Sequence, residues 1–121
     1  MKANELMIGD WVSYNGQPLR VNCVAIGSIG LEGVDSDIIC KEEMVKPIPL
    51  TPEILEKDGF EKDPETGEMI WYDDDVTEVV WLGTLLRIRC EYGICDFAAI
   101  IYVNELQHAL RLCGIEKTIE L

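Results

Sequence analysis

Basic residues and histidine are what this chain has least of. Ten lysines and arginines stand against 23 aspartates and glutamates among 121 residues, a formal net charge of −13. A field of that sign repels phosphate backbones and anionic lipid, so it disfavours nucleic acid and membrane surfaces as partners. With His108 as the only imidazole, any histidine-dependent acid–base or nucleophile scheme must run through that one residue. The cysteines, at 23, 40, 90, 95 and 113, include no Cys-x-x-Cys pair, so the paired spacing of a structural zinc site is missing. No apolar run approaches the roughly 20 residues that span a bilayer, and none before Asp10 has signal-peptide length. There is no Walker loop, no G-x-G-x-x-G and no nucleophile elbow. The expectation is a cytoplasmic protein with reduced thiols, no metal, no cofactor and no membrane attachment. Catalytic residues are not legible.

Hydrophobic residues make up 48% of the chain and fall in periodic runs, which predicts a packed core rather than disorder. The charge is uneven. Residues 1–50 carry four basic against seven acidic residues, residues 51–121 carry six against sixteen, and residues 51–75 hold ten acids and two lysines. The step coincides with Pro47-Ile-Pro-Leu-Thr-Pro52, which divides a strand-rich half, 1–50, from a mixed half, 51–121. A linker of four residues, Pro47 to Leu50, predicts that the halves form one compact unit.

In the first half, Trp11-Val-Ser-Tyr14 alternates apolar and polar and runs into Asn15-Gly16, the dipeptide suited to the two positive φ angles of a type I′ hairpin. Residues 19–26 make the returning strand. Gly27, Gly30 and Gly33 read as corners between short strands, and Ile38-Ile-Cys40 and Met44-Val45 as two more strands. Four or five short antiparallel strands with glycine corners predict a small SH3-like barrel.

In the second half, Thr51 reads as a helix N-cap with Pro52 at the first position, Glu53 in the first turn and Asp58-Gly59 as the stop. A hairpin follows, with an acidic turn at 63–67 and Met69-Ile-Trp-Tyr72 as its second arm. Residues 78–82 form a strand. Leu86, Ile88, Cys90 and Tyr92 then alternate with Arg87, Arg89 and Glu91, a strand with one core face and one face carrying two arginines. Gly93-Ile94 predicts a turn into 95–101, apolar enough for an inner strand. Asn104 with Gln107 three residues on predicts a capping box for a helix over 104–113 closed by Gly114, and 115–121 alternates like a terminal edge strand. The fold class expected is therefore α+β: a small antiparallel β-barrel-like half packed against an antiparallel sheet with one short and one longer helix.

Candidate sites are few. Asp73-Asp74-Asp75 suggests a divalent cation, but adjacent side chains diverge, whereas calcium loops space their ligands; an exposed loop fits better. Arg87 and Arg89 on one strand face could clamp an anion, although pairing with Glu78 or Asp96 on neighbouring strands is the more ordinary arrangement. Trp71-Tyr72 could offer an aromatic platform, while Trp81 between Val80 and Leu82 reads as core. His108 lies about 200° round the helix from Leu106 and faces away from the apolar stripe. Cys90 and Cys95 flank a turn and are expected to be free thiols.

Three stretches together, Met1-Lys-Ala-Asn-Glu-Leu-x-Ile-Gly-x-Trp-Val12, Pro47-Ile-Pro-Leu-Thr-Pro-Glu-Ile-Leu55 with Gly59-Phe60, and Tyr102-Val-x-Glu-Leu-Gln-His-Ala-Leu110 before Ile119-Glu-Leu121, resemble a family of small uncharacterised proteins from gut bacteroidete genomes and their phage or mobile elements. The resemblance is looser over 20–45 and 61–100, and family members often carry His where this chain has Asn104. It implies a bacterial cytoplasmic, accessory setting and carries no activity, ligand or residue role.

The functional expectation is a non-enzymatic interaction protein for a basic partner protein, with Glu53, Glu56, Glu61, Glu65, Trp71, Tyr72, Asp73, Asp74 and Asp75 as the candidate surface. One alternative is a nucleic-acid-binding accessory protein using Lys2, Arg20, Lys41 and Lys46 of the less acidic half. Another is an enzyme with a carboxylate site assembled from distant residues such as Asp73 and Glu78.

Overall fold

A computed structural model describes all 121 residues. The fold class is α+β: a curled five-stranded antiparallel sheet, a second five-stranded antiparallel sheet and two helices. Contacts divide the chain into two compact units, Met1–Ile48 and Pro49–Leu121.

The first unit is built from strands β1 (Trp11–Tyr14), β2 (Gln17–Ala25), β3 (Ser28–Leu31), β4 (Ile38–Lys41) and β5 (Val45–Lys46), in the order β4-β3-β2-β1-β5. Asn15 and Gly16 take φ of 50° and 79°, the turn that Asn-Gly was expected to make. The sheet curls because β2 is nine residues long and its pairing with β3 slips between Val21 and Cys23; such a bulge bends a strand and increases its twist. Gly30 is therefore no corner. It lies inside β3 beside the bulge, where an added Cβ would stand 2.5 Å from Asn22 Oδ1 and 2.9 Å from Cys23 Cβ, so glycine is present to let the strands close. Gly33 likewise leaves room for the Ser36 carbonyl. Gly27, at φ 76°, turns the corner between β2 and β3, and Gly33 lies in the connection between β3 and β4. Of the expected strand at Met44-Val45, Glu42–Met44 is a 3-10 turn and only Val45–Lys46 pairs, with β1. Val12, Val21, Ile29, Leu31 and Val45 are all but inaccessible to solvent and form the core. Asp10 is buried with them; its carboxylate accepts from Met7 N–H at 2.8 Å and clasps the turn before β1.

The second unit opens where Leu50 N–H donates to Ile101 O at 2.9 Å. Helix α1 (Pro52–Lys57) has Thr51 Oγ1 accepting from Ile54 N–H at 3.3 Å. It ends with Gly59 N–H bonded to Glu56 O and Phe60 N–H to Leu55 O, a Schellman closure that requires the left-handed residue, Gly59 at φ 93°. Strands β6 (Glu61–Lys62), β7 (Met69–Tyr72), β8 (Glu78–Trp81), β9 (Leu86–Cys90) and β10 (Gly93–Phe97) form a meander in sequence order. Leu86 and Ile88 face the core while Arg87 and Arg89 face outward, as the alternation required. Strand β10 departs from expectation. It is the edge of the sheet, it stops at Phe97, and its side chains are largely exposed, because no further strand follows to cover it. The chain instead turns at Ala99 (φ 59°), and Ile100 O accepts Trp81 Nε1–H at 3.0 Å.

The cap of helix α2 (Val103–Leu112) lies two residues before the expected one. Tyr102 is the N-cap, and Glu105 Oε1 accepts the N–H groups of Tyr102 (2.9 Å) and Ile101 (3.0 Å), so the acid that closes this end is Glu105 rather than Gln107. Asn104, expected at the cap, is a buried residue of the first turn. The amide of Gln107 serves the tail instead. It donates to Lys117 O at 2.7 Å and accepts from Ile119 N–H at 2.9 Å, and so holds 115–121 as an irregular strap rather than an edge strand. Gly114 (φ 72°) completes a second Schellman closure, with Ile115 N–H on Leu110 O at 2.9 Å.

Asp58, at the end of α1, accepts Glu120 N–H on Oδ1 at 2.8 Å, while its other oxygen is buried without a partner. Burial raises its pKa above the ordinary 3.8, outweighing that hydrogen bond and Lys117. In the window just above 3.8 the folded protein holds a proton that the unfolded chain has lost, so this group favours the fold at acid pH and that contribution disappears as pH rises through the folded value. Asp74 and Asp96 act in the opposite sense. Their pKa values are lowered, by backbone N–H groups and by Arg87 respectively, so they favour the fold above 3.8 and cease to as pH falls through their folded values. Asp58→Asn keeps an acceptor for Glu120 and removes the acid-side term. Its unfolding midpoint in urea, followed from pH 6 down to 3, should fall more steeply than that of the parent; parallel curves would contradict this assignment.

Candidate acidic cleft and thiol cluster

The sheet register decides which side chains meet. Tyr72, Glu78, Arg89 and Ile94 lie in one cross-strand row, and Ile70, Val80, Arg87 and Asp96 in another on the same face. Arg87 Nε binds Asp96 Oδ1 at 2.9 Å, and Arg89 stands directly opposite Glu78. Arg87 is thus paired with an acid on the neighbouring strand, the ordinary arrangement for such residues, while Arg89 shares only a register position with Glu78. The other face carries Trp71, Val79, Ile88 and Cys95 in one row, with Cys90 one diagonal step from Cys95.

Over this second face, beside the last turn of α2, lies a cleft of about 590 Å³. Asp73, Asp74 and Glu91 rim it, Val76, Tyr92 and Leu112 add exposed apolar surface, and Cys90, Cys95 and Cys113 lie along its wall. No Lys, Arg or His lines it. The Asp73–Thr77 turn is ordered locally: Asp74 Oδ1 accepts from Val76 N–H (2.8 Å) and Thr77 N–H (2.7 Å), and Asp73 N–H donates to Thr77 O at 3.0 Å. These bonds hold the Asp74 carboxyl below the usual carboxylate range, so it is a fixed anion at neutral pH. No group of three or more His, Cys, Asp or Glu side chains is placed to hold a metal ion.

The candidate surface read from sequence is split by this geometry. Glu65 belongs to the turn before β7 and Asp73 to Asp75 to the turn after it, at opposite ends of the strand, while Glu53 and Glu56 lie on α1 and Glu61 on β6. Of the aromatic pair, Tyr72 is 62% exposed. Trp71 is half-buried against Phe60 (6.2 Å between rings) with Lys117 Nζ 4.5 Å above its ring, so its face is already occupied. Glu78 pairs in the sheet and does not line the cleft with Asp73. His108 is half-buried on α2. In the first unit, Arg20 lies on β2 and sits 4.8 Å over the Trp11 ring, while Lys41 and Lys46 lie on the two edge strands β4 and β5, so these basic residues are spread over three strands.

The three thiols could not be found by spacing, since they come from a strand, the next strand and a helix end. The usable signal was parity: Cys90 falls in register with Leu86 and Ile88, and Cys113 ends the stripe Leu106, Ala109, Leu110. No helix is long and apolar enough to cross a membrane. No protein-family model, curated protein or solved structure matches this chain.

Proposed function

We propose that the protein is a non-enzymatic binding module for a basic polypeptide, accepted in the cleft between the β7–β8 turn, the β9–β10 hairpin and the end of α2. The observation that supports this reading is the lining itself: three carboxylates at the rim, exposed Tyr92 and Leu112 beside them, and no cation. Such a surface favours a cationic segment that also carries an apolar side chain, because rim charges steer and orient while buried aromatic and aliphatic contacts supply affinity. With the family resemblance, the setting is an accessory role in a bacterial cytoplasm.

A fluorescent peptide alternating lysine and leucine should bind at low salt and weaken steeply as the screening length drops from about 10 Å at 0.1 M to about 3 Å at 1 M salt. Combining Asp73→Asn, Asp74→Asn and Glu91→Gln should cost about tenfold in affinity, the sum of three exposed charges at roughly 0.2–1 kcal/mol each. Neutralising Glu61, on β6, and Glu65, in the turn before β7, should change little. Equal losses from both sets, or no binding at low salt, would sink the assignment.

A further inference from the structure

We infer that Cys95 and Cys113 are a reversible oxidation site, a thiol pair that closes to a disulfide on reaction with hydrogen peroxide and ties the β9–β10 hairpin to the end of α2. Three features support it independently of any partner. Cys95 lies on the exposed edge strand, where backbone movement is least restrained, and Cys113 is the C-cap of α2, just before the Gly114 turn. Both line the same cleft, which gives a small oxidant access. The Cys95 sulfur is near enough to act on Cys113, whose thiol it helps to push above its ordinary pKa. All five cysteines are free thiols in this structure.

Cys90 is near the pair but is the poorer partner. It lies opposite Gly93, diagonal to Cys95, and diagonal neighbours in an antiparallel pair stand about 7–8 Å apart, against about 3.5–4.5 Å between the Cβ atoms of a disulfide. A bond from Cys90 to Cys95 would require the strand register to slip. Cys113 approaches from a different element and is free of that restraint.

The order of events follows from exposure. Burial, together with the Cys95 and Cys90 sulfurs, pushes the Cys113 thiol above its ordinary pKa, whereas Cys95 is open to solvent. The Cys95 thiolate attacks one peroxide oxygen, the O–O bond breaks, and hydroxide leaves to take up a proton as water, with Cys95 now a sulfenic acid. The Cys113 sulfur then attacks the Cys95 sulfur. The S–O bond breaks, the departing hydroxyl takes the Cys113 proton as a second water, and the disulfide forms. Two thiols have lost two electrons and one peroxide has gained them. A dithiol reductant reverses the bond by exchange.

Limited peroxide treatment of the dilute full-length protein, followed by thiol counting and non-reducing peptide mapping, tests this. The expected result is loss of two of the five thiols, a Cys95–Cys113 cross-linked peptide, and recovery of five thiols after dithiothreitol. Cys90→Ser should keep the cross-link, and Cys95→Ser and Cys113→Ser should each abolish it. Circular dichroism of the two serine variants guards against misfolding, and the Cys90→Ser result stands whether or not they fold. A cross-link between Cys90 and Cys95, over-oxidation of Cys95 without a cross-link, or oxidation confined to the exposed Cys23 would each overturn the assignment.

Discussion

Truncating Leu110 to alanine is expected to lower the unfolding free energy by about 2–5 kcal/mol, the range for a large aliphatic side chain whose removal leaves a cavity. Leu110 is wholly buried, as are Val103 and Leu106 on the same stripe of α2. Its carbonyl also accepts Ile115 N–H at the helix end, so a side chain that anchors this turn is coupled to the closure that reverses the chain. Leu112, two residues on, is 78% exposed. Leu112→Ala should therefore shift stability by no more than about 0.5 kcal/mol. Urea denaturation of the two variants gives the comparison directly, and similar losses from both would show that α2 is not packed as described.

Gln107→Ala should be nearly as damaging, on the order of 2–4 kcal/mol, for a different reason. The side-chain amide is the partner of both Lys117 O and Ile119 N–H, and a buried backbone group left unsatisfied costs about 1–3 kcal/mol. Part of the loss is recovered when the strap lifts into water, but lifting it uncovers Ile119, which is wholly buried. Gln107→Glu discriminates between packing and hydrogen bonding. It keeps the acceptor for Ile119 and the volume, but sets a carboxylate oxygen against the Lys117 carbonyl. An unfolding midpoint for Gln107→Glu lying close to the alanine variant assigns the effect to the amide donor. A midpoint close to the parent would mean that the Lys117 bond contributes little.

What the sequence made legible was local. Asn15-Gly16, Thr51-Pro52 and the two glycines after the helices each specify their conformation through their own φ preference or cap, and all four appear where their chemistry places them. The alternation from Leu86 to Cys90 was equally readable because a strand's two faces are set by its own residues. Non-local choices were not legible. An apolar segment such as 95–101 reads as interior, yet whether a strand is central or at an edge depends on what else pairs with it, and here nothing does. The helix start moved to Tyr102 because Glu105 is the better acceptor for the free N–H groups, a competition that Asn104 and Gln107 concealed. Gly30 looked like a corner because a glycine needed for close approach and one needed for a turn are the same letter. The cleft has the same origin. Asp74, Cys95 and Cys113 lie far apart in sequence, and only the register of β9 with β10 and the end of α2 bring them to one wall.

The strand orders described above also carry a difference in time. In the meander β10-β9-β8-β7-β6 every strand pairs with its neighbour in sequence, so the sheet is assembled through short loop closures, each hairpin templating the next. The curled sheet has one pairing of another kind: β1 meets β5 through Ser13 with Lys46 and Tyr14 with Val45, across nearly the whole unit. The entropy of closing that long loop is incurred before its contacts form. Joining the first strand to the last is thus the closure expected to be slowest in the curled sheet, and the meander has no pairing of that span.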